Sequence, residues 1–163
     1  MKYISLFALL FCFASFANSN ELDHPSNDFK LVLGTSAFLD EEIPFDHFIV
    51  GGSMRFGLTK RLSVEPQFLY MNGPGSDRDY TLTGNISYDL LTASRFAVYA
   101  VAGGGLIRHT ERFSNGDFSV NEWTANGGVG ARIYFTDQFF VAPEFRFGLE
   151  PLLLTQVGIG YSF

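Results

Sequence analysis

Cysteine is all but absent: of 163 residues only Cys12 carries a thiol, and it sits in an apolar run near the first residue. If that run is removed, the remaining chain can form no disulfide and no thiolate metal site. A long hydrophobic segment is also missing. The longest apolar run, Tyr3 to Phe16, falls short of the roughly 20 residues a membrane helix needs. Positive charge is scarce, with 11 Lys and Arg against 17 Asp and Glu for a formal charge of −6, which disfavours nucleic acid as a partner. No stretch repeats its apolar residues at helical spacing, so the usual sign of an amphipathic helix is lacking.

What is present at the beginning reads as an export signal. Lys2 precedes the apolar run, and Ser15 and Ala17 place small side chains three and one residues before a cut after Ala17. Cys12 follows Leu10 and Phe11, not the small residue that lipid attachment requires. The expected organisation is a signal peptide over 1–17, a short periplasmic segment over 18–27, and one folded domain over 28–163. Losing Lys2 takes the charge from −6 to −7.

From Phe29 onward the pattern has period two, the signature of strands with one apolar face. Near the end, Leu153, Thr155, Val157, Ile159, Tyr161 and Phe163 share one face, against Leu154, Gln156, Gly158, Gly160 and Ser162. Phe139, Val141, Pro143, Phe145, Phe147 and Leu149 likewise oppose Phe140, Ala142, Glu144, Arg146 and Gly148. Similar runs begin at Phe29, Phe48, Leu62 and Tyr80, and the stretches Phe96 to Ile107 and Val120 to Phe135 supply two more. The triplet Gly103 to Gly105 blurs the facing of the Phe96 strand.

Connections alternate in length. Thr59 to Arg61, Leu91 to Arg95 and Thr136 to Gln138 read as tight turns; Asp40 to His47, Asn72 to Asp79 and Arg108 to Asp117 read as longer polar loops, with a short one at Glu150 and Pro151. The expectation is an all-β fold, an eight-stranded antiparallel up-and-down transmembrane β-barrel, because closing a sheet pairs every backbone group that would otherwise be stranded in hydrocarbon. Spanning takes about 9 to 11 residues per tilted strand, close to the length of the runs. Aromatic residues gather at both strand ends: Phe56, Tyr88, Phe96, Phe135, Phe139, Tyr161 and Phe163 by the turns, Phe48, Tyr70 and Tyr80 by the loops. The competing arrangement is a soluble lipocalin-like periplasmic binder with its apolar face inward. It would need a densely charged outer face, whereas the polar face here is diluted by Gly, Ser and Ala.

The ending Val157-Gly158-Ile159-Gly160-Tyr161-Ser162-Phe163 and the glycine-rich strands around Gly103 to Gly105 and Gly127 to Gly130 carry a family likeness. The chain resembles the outer-membrane β-barrel domain family that includes the OmpA transmembrane domain and OmpX. That resemblance implies residence in a Gram-negative outer membrane, contact with outer-membrane lipid and lipopolysaccharide, and recognition of the Tyr161 and Phe163 ending by the outer-membrane assembly machinery. It implies no peptidoglycan-binding domain, and it leaves the surface partner open.

With the apolar faces toward lipid, Lys30, Arg55, Arg132 and Arg146 point inward with Glu65, Glu122 and Glu144. Arg55 and Glu65 flank the Lys60 turn symmetrically, so an antiparallel hairpin sets them opposite and predicts a salt bridge. Arg132 and Glu144 should be diagonal neighbours across the Asp137 turn. An interior of this size is filled by its side chains, and the expected role is structural or surface-interaction, without catalysis. A small-solute channel is the alternative.

Candidate chemistry is thin. Some barrels that this chain resembles modify lipid A, but the His-x-Ser spacing of such deacylases is absent: His109 is followed by Glu111, with Ser114 beyond, and His47 lacks an evident partner. Asp40, Glu41, Glu42 and Asp46 have ligand types suited to calcium without EF-hand spacing, and read as a solvated loop. Gly103 to Gly105 is followed by no lysine or helix start, so it serves strand packing, not phosphate. Asn85-Ile86-Ser87 lies mid-strand, where no glycosyl transferase reaches. No cofactor and no metal are expected.

Overall fold

The computed structural model describes residues 27–37, 47–74, 78–113, 116–149 and 153–163. The expected signal peptide, nearly all of the 18–27 segment, the acidic loop of Asp40, Glu41, Glu42 and Asp46, and the Glu150-Pro151 connection lie outside them. The strands are β1 (Asp28–Ala37), β2 (His47–Gly57), β3 (Leu62–Asn72), β4 (Arg78–Ala93), β5 (Phe96–Phe113), β6 (Gly116–Tyr134), β7 (Phe139–Gly148) and β8 (Leu153–Ser162). Each pairs antiparallel with its sequence neighbour, and β1 closes on β8 through pairs such as Phe29↔Tyr161 and Leu31↔Ile159. Closure removes the unpaired edges that an open sheet would present.

Alternation decides which side is which. Leu31, Leu82 and Ile159 are 60%, 62% and 60% exposed on the outside, while Lys30, Glu65, Gln67, Asn85 and Gln156 are buried within. The polarity is the reverse of a water-soluble protein: large apolar side chains cover the exterior, and ionic groups fill the middle. Inward glycines make room for bulky neighbours. A Cβ on Gly130 would lie 2.5 Å from Tyr99 Cζ, one on Gly158 would lie 3.0 Å from Lys30 Cδ, and one on Gly160 would collide with the Phe140 ring.

Three features differ from the sequence expectation. The polar stretch Arg108 to Asp117 is largely a continuation of the β5–β6 hairpin, paired as far as Phe113↔Gly116, with Gly116 at φ 135°. Backbone pairing between two strands needs no apolar side chains, so polar residues there do not end the ladder. Asp79 and His47 likewise belong to β4 and β2, not to loops, and β4 runs to Ala93 with a register shift between Asp89 and Leu91. Finally, the interior is not polar throughout. Val32, Ile49, Leu69, Met71, Ile107 and Leu154 form a buried apolar layer toward the loop end, and Tyr134, Phe140 and Ala142 form another at the turn end. Facing along β5 is settled by burial: Ala97, Tyr99, Val101 and Ile107 point in, Phe96 and Leu106 out.

Candidate functional site

Between those apolar layers lies a two-tier array of charges. In the tier nearer the turns, Asp28 accepts from Arg55 Nε at 2.5 Å and stands 3.9 Å from Arg132 Nε. Asp89 accepts from Arg132 Nη1 at 2.7 Å and lies 3.8 Å from Arg55 Nη1. Two carboxylates thus meet two guanidiniums, each cation touching both anions. In the second tier, Lys30 Nζ is 2.8 Å from Glu65 Oε1 and 3.5 Å from Glu144 Oε2. Arg146 approaches Glu144 Oε1 through Nε and Nη2, both at 2.7 Å, and donates through Nη1 to Asn85 and Asn126 at 3.0 Å each. Gln156 also donates to Glu144.

Tyr99 joins the tiers. Its hydroxyl donates to Glu144 Oε2 at 2.7 Å, and its ring carries the Arg132 guanidinium 4.2 Å from the centroid. Charge is balanced within each tier, so no net ion is stranded in a low-dielectric interior, where an unpaired charge costs several kcal/mol. Position along the strands contributes to the tiers: Asp28, Arg55, Asp89 and Arg132 sit toward the strand ends by the turns, and Lys30 lies two residues beyond Asp28 on β1. Glu144 and Arg146 on β7 pair two and four residues inward of Arg132, while Glu65 faces Arg55 and joins the second tier through Lys30.

Of the sequence-derived set, Lys30, Arg55, Glu65, Arg132, Glu144 and Arg146 are all buried in this array. Partner choice differs from expectation. The pairs Ser53↔Gln67 and Phe56↔Val64 leave Arg55 and Glu65 facing across β2 and β3, yet Arg55 reaches Asp28 and Asp89 while Lys30 takes Glu65. Arg132 and Glu144 are diagonal neighbours, since Gly130↔Glu144 and Ile133↔Val141 pair, but Tyr99 stands between their charges. Glu122 is exposed and takes no part. It has the inward parity of Thr124, but it pairs with Ile107 beyond Asn126↔Gly148, the last β6–β7 pair among the described residues. Sequence reasoning missed Asp28, Asp89 and Tyr99. Parity with Lys30, Ser87 and Ala97 was the available signal.

At the loop end, His47 and Asp79 are both 1% exposed, and Asp79 lies 3.7 Å from His47 Nε2 and 3.0 Å from His109 Nδ1. His47 therefore has a carboxylate neighbour that the sequence did not reveal. The Glu111 side chain and Ser114, the sequence neighbours considered for His109, lie outside the described residues. Among the described residues no cluster of three or more His, Cys, Asp or Glu is arranged to hold a metal ion. A small cavity of about 10 Å³ separates the apolar layer from the second tier, bordered by Gln67, Leu69, Met71, Thr83 and Leu154. That is room for about one water molecule.

Tyr161 faces outward and packs edge-on against Phe139 at 5.1 Å between ring centres. Phe163 is exposed, with its amide donating to Asn27 at 3.0 Å. Both stand in the aromatic ring around the turn end.

No protein-family model matches the chain, and no curated protein matches it by sequence. Solved structures do. The chain is similar to the N-terminal β-barrel domain of Pseudomonas aeruginosa OprF, at 20% identity and TM-score 0.67 over 85% of this chain and 98% of that one. It is similar to Neisserial surface protein A at 13% identity and TM-score 0.63, covering 84% and 94% of the two chains. It is also similar to Ail, the attachment invasion locus protein of Yersinia pestis, at 13% identity and TM-score 0.58, covering 85% and 97%. At these identities the likeness is one of fold: the chain is an eight-stranded antiparallel barrel of the transmembrane type.

Proposed function

We propose that this chain is a non-enzymatic outer-membrane β-barrel protein, exported with a cleaved signal peptide, whose role is structural or surface-interactive. The observation that carries this is the inverted polarity: an apolar exterior around a closed wall, enclosing a charge-balanced interior. The ionic array fills the lumen and fixes register. Apart from Arg146 and Glu144, both on β7, the pairs join different strands, and a one-residue slip would turn the charges of the slipped strand toward hydrocarbon. Lipopolysaccharide, outer-leaflet lipid and the assembly machinery, acting on the Tyr161 and Phe163 ending, are the partners of this reading.

Fractionation of cells expressing the full chain, followed by unheated and heated gel electrophoresis, tests it. The reading predicts membrane-fraction protein with a heat-modifiable mobility. Protein recovered monomeric in the soluble fraction would contradict it. In a planar bilayer the purified barrel should give no steady conductance, because two ionic tiers and two apolar layers close the lumen; a stable open channel would favour the solute-passage alternative.

The extended β5–β6 hairpin supports the surface-interaction version of the role. Past Arg78↔Thr110, β5 and β6 pair only with each other among the described residues, and Phe118 there is 63% exposed; Trp123, 80% exposed, stands lower on β6, beyond its last described pair with β7. Ail, one of the similar folds, has been solved with the heparin analogue sucrose octasulfate, so a barrel of this shape can present an anion-binding surface.

A further inference from the structure

Three rows of paired residues cross the outside of β3, β4, β5 and β6 toward the loop end. Phe68, Leu82, Leu106 and Trp123 make the first, and Tyr70, Tyr80, Arg108 and Asn121 the second. Asn72, Arg78, Thr110 and Ser119 make the third. All have the outward parity of Leu82, so the wall passes from oil to aromatic and cation within four residues, about 13 Å. This is the depth at which acyl chains give way to headgroups.

Arg78 and Arg108 are exposed and diagonal to one another on adjacent strands, with side-chain roots about 7 to 8 Å apart. Each buried cation of the lumen has a carboxylate beside it. Among the described residues neither of these two outer arginines has one. Two like charges held side by side without a counter-ion repel. Exposed and adjacent, they suit an anion with several acceptor oxygens, and guanidinium pairs are shaped for phosphate.

Below the first row, Pro66, Gly84, Gly104 and Ala125 are paired across the same four strands. A Cβ on Gly84 would meet nothing within 4 Å. The small side chains leave a shallow trough in an otherwise bulky apolar wall, with Trp123 standing at its end. Cations above a trough select an amphiphile, not a free anion. Four strands span about 15 Å, broad enough for a lipid with more than two chains.

We infer that this face binds a phosphorylated lipid of the surrounding leaflet, namely the lipid A part of lipopolysaccharide, with phosphate on Arg78 and Arg108 and an acyl chain along the Gly84–Gly104 trough. The inference rests on the outer-membrane reading above, with the loop end outward as longer loops imply.

The test is a titration of the purified full-length mature barrel in mild detergent with lipid A, chemically dephosphorylated lipid A, phosphatidylethanolamine and sucrose octasulfate. Lipid A should bind at least tenfold more tightly than its dephosphorylated form. The double variant Arg78→Gln/Arg108→Gln should lose that margin, and Arg78→Lys/Arg108→Lys should keep part of it. Gly84→Phe, which fills the trough into open space, should weaken lipid A severalfold while leaving sucrose octasulfate unchanged. Heat-modifiable mobility verifies that each variant is folded. Equal binding of the dephosphorylated lipid, or wild-type binding by the Arg78→Gln/Arg108→Gln variant, would overturn the inference. So would arginine-dependent binding of sucrose octasulfate that lipid A fails to displace, which would assign the patch to sulfated sugars. Because the titration uses purified protein, a failed membrane fractionation would overturn the location separately.

Discussion

The guanidinium of Arg132 rests 4.2 Å from the centre of the Tyr99 ring, and the same tyrosine donates its hydroxyl to Glu144 at 2.7 Å. One side chain thereby couples both ionic tiers. Tyr99→Phe keeps the ring under Arg132 and deletes one hydrogen bond to a buried carboxylate, so unfolding in denaturant should show a loss of about 1.5 to 3 kcal/mol. Tyr99→Ala should cost more, since the aromatic volume and the cation contact vanish with it. Equal stability of the wild type and Tyr99→Phe would mean that the hydroxyl is not bonded to Glu144.

Partner choice in the lower tier can be separated from register. Arg55 faces Glu65 across β2 and β3 but lies 2.5 Å from Asp28. A double-mutant cycle with Arg55→Met and Asp28→Asn should yield a coupling of about 1 to 3 kcal/mol, while the Arg55→Met and Glu65→Gln cycle should stay below about 0.5 kcal/mol. Each single change leaves a buried charge less compensated, so each should itself destabilise by about 3 to 5 kcal/mol. A larger coupling to Glu65 than to Asp28 would reverse the assignment.

Glycines on the two faces should respond in opposite ways. At Gly130 an added methyl meets the Tyr99 ring at 2.5 Å, so Gly130→Ala should displace that ring and lower stability by about 1 to 3 kcal/mol. Outward Gly84 has open space around the same addition, so Gly84→Ala should change stability by no more than about 0.5 kcal/mol. Thermal unfolding of both variants in one detergent checks the contrast.

Strand faces were legible because each has a strict period: Val157, Ile159 and Tyr161 against Gly158, Gly160 and Ser162 leave one orientation once the lipid side is chosen. Inward charges followed from the same parity, which identified Lys30, Arg146 and Glu144 without any contact information. The pairing itself was not legible. Register specifies which backbones face each other, but long side chains in a narrow barrel reach two strands away, as Lys30 on β1 does to Glu65 on β3 and Glu144 on β7. Glu122 departs from expectation for a different reason: parity gives direction but not height, and it lies past the last pair of β6 with β7 among the described residues. Asp79 was hidden because Asn72 to Asp79 looks like loop, so its meeting with His47 and His109 across strands could not be foreseen.

The central claim is that oil faces outward and charge inward, and one scan reads it directly. The mature chain would carry no native cysteine, since Cys12 lies in the expected signal segment, so single cysteines can be placed at each position from Thr81 to Tyr88 on β4, spin-labelled and folded into lipid vesicles. Collision with dissolved oxygen, which concentrates in hydrocarbon, should peak at positions 82, 84, 86 and 88 and fall at 81, 83, 85 and 87. A period of two with the opposite phase, or labels at 82 and 86 that meet only water-soluble relaxants, would contradict the account.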